Sequence, residues 1–157
     1  MNTRLHPIVW ALVADGEHAR IVAPTVSRGQ FATILEFEST AAHLRSSDMG
    51  SERPGKVHES ASTTRHAVEP KHDRHRQAKH DFVVDVARQV AERAGQKAFD
   101  RLVLVAPGHA LHDLREALSP AVAALVVGML EKDLTKTTDR EMGEHLGEWW
   151  MAPPVAD

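Results

Sequence analysis

The chain has 157 residues and a formal net charge of −3, and 42% of its residues are apolar. These values suit one domain of ordinary soluble composition. It contains no cysteine, which excludes disulfides and thiolate metal sites. The apolar run at residues 8–14 is shorter than a signal peptide or a membrane span requires. We therefore expect a cytoplasmic protein without a membrane anchor.

The first third of the chain predicts an antiparallel arrangement of three strands. Residues 8–14 form a continuous apolar run, typical of a strand that is covered on both faces. Asp15-Gly16 favours a tight turn into a second strand at residues 19–24. Residues 31–38 alternate with a period of two, which predicts a third strand. One face of that strand would carry Phe31, Thr33, Leu35 and Phe37, and the other would carry Glu36 and Glu38.

Residues 39–73 lack any sustained apolar period, and they are rich in Ser, Thr, Gly, Pro, His and charged residues. We predict a long loop here, and in a compact domain such a loop is usually functional or disordered. Residues 40–80 hold eight Lys and Arg against five Asp and Glu, together with six of the 11 His. This part of the chain is therefore locally basic, and its charge responds to pH near neutrality.

Helical and strand patterns alternate after the loop. Asp73 is a suitable N-cap for a helix from about Arg74 to Ala94, in which apolar residues recur every four positions. The later elements are predicted from caps, turns and apolar runs. They are a strand at 101–107, a helix opened by Gly108-His109, a restart at Ser119-Pro120, a strand near 126–130, a helix from Thr138 and Glu141 to about Trp150, and a tail at 151–157.

This order predicts a single α/β domain over residues 1–150. With right-handed crossovers, the five strands form a mixed sheet in the order 3-2-1-4-5, with only the second strand antiparallel. Helices cover its faces, which gives a three-layer, ribonuclease-H-like topology. Strands one, three, four and five then end at one edge, where open α/β sheets bind ligands. We expect Asp15, the start of the loop, Gly108-His109 and residues 132–136 at that edge.

Several segments of the chain, taken in order, resemble the host attachment protein family. They are WALVADGEHARIV (10–22), SERPGK (51–56), RHAVEPKHD (65–73) with Phe82, FDRLVLVAPGHALHDLREAL (99–118) and KDLT (132–135). That family is described as required for bacterial attachment to host cells. It is similar to the middle domain of archaeo-eukaryotic peptide release factors, in which a loop after strand three carries a Gly-Gly-Gln motif that enters the ribosomal peptidyl-transferase centre. The corresponding residues here, 39–73, contain no Gly-Gly-Gln motif, and their only glycines are Gly50 and Gly55. The resemblance leaves a ribosome-facing role open, but the missing motif argues against peptide release by that mechanism.

No complete catalytic site is predicted. A ribonuclease-H-like nuclease needs clustered carboxylates that hold two metal ions, one of them near the end of strand four. That strand ends in Ala106-Pro107-Gly108, so the cluster cannot be assembled around Asp15. The pairs His72-x-x-His75 and His109-x-x-His112 match no standard metal-ligand spacing. We predict a protein that is not an enzyme, with no catalytic residues, no metal and no cofactor.

The leading hypothesis is an interaction module that contacts RNA or the ribosome through the basic His-rich loop. Cations bind phosphates, but no aromatic residue lies between Phe37 and Phe82 to stack on bases, so the contacts would be with the RNA backbone. The predicted anion- or RNA-binding residues are Arg53, Lys56, Arg65, His66, Lys71, Gly108 and His109. One alternative is a role in attachment through a protein partner, as the resemblance implies. The other is a hydrolase or metal-binding protein that uses the Asp15/His109 edge.

Overall fold

The computed structural model describes residues 7–25, 29–40 and 54–150, and it places side chains for residues 7–25, 29–40 and 74–147. Within these ranges the chain forms a five-stranded sheet with helices on both faces. The elements, in chain order, are β1 (Val9–Ala14), β2 (His18–Pro24), β3 (Phe31–Glu38), α1 (Pro54–Gly95), β4 (Arg101–Val105), α2 (Gly108–Ala117), α3 (Pro120–Ala123), β5 (Val126–Leu130) and α4 (Asp139–Trp150).

The sheet has the predicted order, β3-β2-β1-β4-β5, and the predicted directions. β1 pairs in parallel with β4, and β4 pairs in parallel with β5, whereas β2 is antiparallel to both β1 and β3. All six residues of β1 are buried, because it lies in the middle of the sheet with helices above and below it. The uninterrupted apolar runs of β1 and β4 therefore predicted the centre of the sheet correctly.

Two apolar cores lie on opposite faces of the sheet. On one face, α1 and α2 cover residues such as Leu12 and Leu104. On the other face, α4 contributes Met142 and Leu146, which pack on residues of β1 and β4. The expected three-layer α/β architecture is confirmed. Among the described residues, β3 and β5 are the two edge strands of the sheet, and each pairs with a strand on one side only.

The first helix differs from the prediction. α1 begins at Pro54 instead of near Arg74, so residues 54–73 are helical and the predicted loop is wrong for that part. Asp73 lies inside the helix and is not its N-cap, while residues 41–53 lie outside the described part. The apolar period starts only where α1 packs on the sheet, at Phe82. Residues 74–77 are exposed, and an exposed stretch of helix has no apolar period from which it could be predicted.

The strand β3 also departs from the prediction. Leu35 pairs with Ile21, but the next pair is Thr33 with Val22, so Ile34 is an extra residue that forms a bulge. A bulge reverses the alternation of side chains beyond it. Leu35 packs on the core under α1, whereas Phe31 is buried in the core under α4. The prediction that one face carries Phe31, Thr33, Leu35 and Phe37 is therefore wrong.

Two of the three predicted helix caps, those at Ser119 and Thr138, are confirmed. The Val122 N–H donates to Ser119 Oγ at 3.3 Å, with Pro120 at the first helical position of α3. At the start of α4, the Glu141 N–H donates to Thr138 Oγ1, and the Thr138 hydroxyl donates to Glu141 Oε1 at 2.8 Å. These local signals are reliable because the caps satisfy backbone groups that a helix end leaves unpaired.

Candidate functional site

Four strands end at the same edge of the sheet, as predicted, and we call it the carboxyl edge. It is formed by the residues that follow β1, β3, β4 and β5, because these four strands run in the same direction. The turn after β1 meets the end of β3 here, since the Ser39 N–H donates to the Glu17 carbonyl at 2.8 Å. α2 begins at this edge with Gly108. The segment after β3 therefore leaves the sheet on the same side as the start of α2.

Asp15 holds the turn between β1 and β2. Its Oδ1 accepts hydrogen bonds from the N–H groups of Glu17 and His18, each at 2.7 Å. Its Oδ2 accepts from Thr135 Oγ1 at 3.3 Å, which ties the turn to the segment between β5 and α4. Such a side chain satisfies the backbone of its own turn, a common structural use of aspartate. This bonding explains Asp15 without a catalytic role.

A partly buried arginine joins β2 to the segment between β5 and α4, and the sequence analysis missed it. The Arg20 guanidinium donates to the carbonyl oxygens of Leu134, at 3.0 Å, and Thr137. It also lies 3.3 Å from Asp139 Oδ1, and only 15% of the Arg20 side chain is exposed. We call Arg20, Thr33 and Asp139 the Arg20 clamp. No local signal marked it, because an alternating strand normally directs a charged residue to solvent.

The Arg20 clamp fixes the ionisation of Asp139. Burial alone would raise the pKa of this carboxyl group, but hydrogen bonds outweigh it. The Thr33 hydroxyl donates to Oδ1 at 2.7 Å and the Thr33 N–H donates to Oδ2 at 2.9 Å, and Arg20 adds its positive charge. The pKa of Asp139 is therefore lowered, and the group stays ionised at the start of α4, where negative charge is also favoured by the helix dipole.

Exposed cations occupy residues 74–80 of α1, and one of them, Lys79, contacts the carboxyl edge. Arg74, His75 and Arg76 are exposed, followed by Lys79 and His80. A Cβ atom on Gly16 would lie 2.7 Å from Lys79 Cγ, so the aliphatic part of Lys79 crosses the turn after β1. His80 Nδ1 lies 3.9 Å from Asp113 Oδ2 of α2. We call residues 54–80 the basic helix segment; of its described side chains, Lys79 reaches the turn and His80 faces α2.

The predicted anion-binding residues fall into three groups. Arg53 lies outside the described part of the chain. Lys56, Arg65, His66 and Lys71 lie on the α1 backbone, in the region where side chains are not described. Gly108 and His109 are exposed at the start of α2.

A carboxylate lies close to the start of α2. A Cβ atom on Gly108 would be 3.5 Å from Glu131 Oε2. The positive end of this helix therefore already has a negative group of the same chain beside it. That group would repel an anion, so this helix start is a poorer phosphate site than the exposed cations of α1.

A cavity of about 390 Å³ opens at the carboxyl edge between β2, β3 and the segment after β5. Its polar lining includes the carboxylates of Asp15, Glu36 and Glu38 together with His18 and Lys136. Among the described residues, no group of three or more His, Asp or Glu is arranged to hold a metal ion. The described part of the chain also has no helix that is long and apolar enough to cross a bilayer.

Comparison with known proteins identifies a family and finds a weak similarity to a solved structure. The model of a family described as "protein required for attachment to host cells" matches residues 10–146. The crystal structure of an archaeal translation termination factor is similar at a TM-score of 0.46 and 11% sequence identity, over 91% of this chain and 39% of that chain. The chain thus spans well under two thirds of that factor's length. No curated protein matches the sequence.

Proposed function

The chain belongs to the family of proteins required for attachment to host cells, and we propose that it is a cytoplasmic, non-enzymatic interaction module. Its basic helix segment contacts RNA or the ribosome. One observation carries this proposal: Lys79 crosses the turn at the carboxyl edge, and the exposed Arg74 and Arg76 precede it on the same helix, which is anchored in the core from Phe82 onward. A helix that is anchored in the core holds its charged side chains in a fixed orientation, whereas a free tail does not.

The charge balance of the basic helix segment supports binding to phosphates. It contains six Lys and Arg against three Asp and Glu, with five His, while the whole chain has a net charge of −3. At 1.5 Å per residue, a helix of this length is about 40 Å long, enough to contact several successive phosphates. It has no aromatic residue, so it would contact the RNA backbone and not stack on bases.

The test is RNA and ribosome binding measured over a range of salt concentrations. Neutralising two exposed cations, Arg74→Gln with Arg76→Gln, should weaken binding and lower the slope of log K against log salt by about 1.5, because each lost phosphate contact removes about 0.7 to 0.9 from it. The matched control is Arg88→Gln with Lys97→Asn, which changes the net charge equally at the other end of α1. Absence of binding, or equal effects of the two double variants, would refute the proposal.

A second candidate function is favoured by the description of the family. In this alternative, the chain supports attachment to host cells through a protein partner. A deletion strain complemented with the Arg74→Gln, Arg76→Gln variant separates the two candidates. If the variant restores attachment fully although its RNA binding is weakened, the protein partner accounts for the function. If attachment and RNA binding are lost together, the basic helix segment accounts for both.

A further inference from the structure

Two histidines stand among the exposed cations at the described end of the basic helix segment. Residues 74–80 read RHRQAKH, so His75 and His80 are interspersed with Arg74, Arg76 and Lys79. All of these residues are exposed. Histidine is the side chain whose charge ordinarily changes between about pH 5 and pH 8. The positive charge that this stretch of α1 presents to a ligand therefore depends on the pH.

The surroundings of His80 already contain a negative group. Its Nδ1 lies 3.9 Å from Asp113 Oδ2 of α2, the helix that packs beside α1. On α1 itself, Arg76 lies one turn before His80, and Asp81 follows it. The Asp81 carboxylate is occupied, because it accepts a hydrogen bond from Gln77 Nε2 at 2.8 Å. A proton on His80 is thus balanced within the protein by Asp113, and a phosphate would have to compete with that carboxylate.

His75 has different surroundings. It is flanked by two arginines, and Lys79 lies one helical turn after it on the same side of α1. Lys79 crosses the turn after β1, which carries the carboxylates of Asp15 and Glu17, and Asp15 already accepts hydrogen bonds from the backbone of that turn. Among the described side chains, no carboxylate lies within ion-pair distance of His75. A proton on His75 therefore remains available to a negative ligand.

We propose that RNA binding by the basic helix segment takes up a proton at His75, so that binding is regulated by pH. This inference rests on the proposed function, because it concerns the same site. A backbone phosphate beside His75 supplies the negative group that the described protein side chains do not, and a negative neighbour favours the charged form of an imidazole. His80 contributes less, because Asp113 already offers it a carboxylate. RNA binding therefore strengthens as the pH falls.

The size of the pH effect follows from the linkage between proton binding and RNA binding. If the complex holds one more proton than the free partners, the dissociation constant falls by at most about tenfold for each unit by which the pH falls. A charged His75 also adds a cation beside the phosphates. The slope of log K against log salt should therefore be steeper, by about 0.7 to 0.9, where the imidazole is charged. The affinity and its salt dependence should change together.

The test is binding of a fluorescently labelled RNA hairpin to the full chain at about pH 6 and about pH 8, each over a range of salt concentrations. The wild-type chain should bind more tightly at the lower pH and show a steeper salt dependence there. His75→Gln should bind like the wild type at the higher pH, but should lose a large part of both differences at the lower pH, because glutamine cannot take up a proton. Thermal unfolding at both pH values verifies that the variant folds.

The matched control is His112→Gln on α2. The His112 side chain is 67% exposed and its Nε2 lies 3.9 Å from Glu116 Oε1, so this variant should keep both differences. His80→Gln should have a smaller effect than His75→Gln. If the wild type binds equally at the two pH values, or if His75→Gln leaves the pH effect unchanged, this inference is overturned, while RNA binding and the proposed function stand. Absence of RNA binding at both pH values would instead refute the proposed function and this inference with it.

Discussion

Arg20→Ala tests whether the Arg20 clamp stabilises the fold. The substitution removes the guanidinium that donates to the carbonyl oxygens of Leu134 and Thr137 and faces Asp139. Leu134 is 5% exposed and packs in the core under α4. This packing prevents the segment before α4 from moving so that its carbonyl oxygens could bind water instead. Its carbonyl oxygens would therefore lose their partner while remaining shielded.

The size of the effect follows from the number and exposure of these contacts. Arg20 is 15% exposed, and a hydrogen bond from a charged donor contributes about 1.5 kcal/mol at the lower end of its range, so two carbonyl contacts contribute about 3 kcal/mol. The Asp139 side chain is 39% exposed, so the ion pair adds less than about 1 kcal/mol after solvent screening. We expect a loss of about 3 kcal/mol in the free energy of unfolding.

Urea denaturation followed by circular dichroism measures this loss as a shift of the midpoint at constant slope. The control is Arg88→Ala, which removes an arginine with two ion pairs on the exposed face of α1. That variant should unfold close to the wild-type midpoint, because exposed ion pairs contribute little. If Arg20→Ala is no more destabilising than Arg88→Ala, the Arg20 clamp is not a stabilising contact.

Three further predictions concern α4. Because the pKa of Asp139 is lowered on folding, its contribution to stability is complete above the ordinary value of 3.8 and is lost as the pH falls through the folded pKa. Asp139→Asn should therefore remove this pH-dependent part of the free energy of unfolding. A free energy of unfolding with the same dependence on acid pH in the variant would contradict this. Gly143→Ala should destabilise the protein by about 1 to 3 kcal/mol, because the added Cβ would lie 2.9 Å from the Gly29 carbonyl oxygen and 3.3 Å from Phe31. Gly147→Ala, with nothing within 4 Å of its Cβ, should instead stabilise α4 by about 0.5 to 1 kcal/mol, and thermal unfolding of both variants checks the opposite signs.

Much of the carboxyl edge could be predicted from local patterns. The Asp15-Gly16 turn, the start of α2 at Gly108 and the capping box of α4 depend on residues only a few positions apart, and all three are where the sequence indicated. The joint position of these elements followed from the strand directions. The basic helix segment was recognised by its charge, although its helical conformation was not.

The Arg20 clamp could not be predicted from any local pattern. Arg20 stands between Ala19 and Ile21 in β2, where an alternating strand normally directs a polar residue to solvent. Its partners, from Leu134 to Asp139, come after β5, more than a hundred residues later. Only the tertiary arrangement places that segment over β2.

The sequence by itself determined the order and direction of the strands, because uninterrupted apolar runs must be buried on both faces and right-handed crossovers leave few topologies. The tertiary structure decided where the alternation of β3 reverses, because the bulge at Ile34 depends on its register with β2. It also decided where α1 begins, since residues 54–73 have no apolar period from which a helix could be predicted. The sequence indicates which residues are buried through its apolar pattern, whereas contacts between distant segments form only when the chain folds.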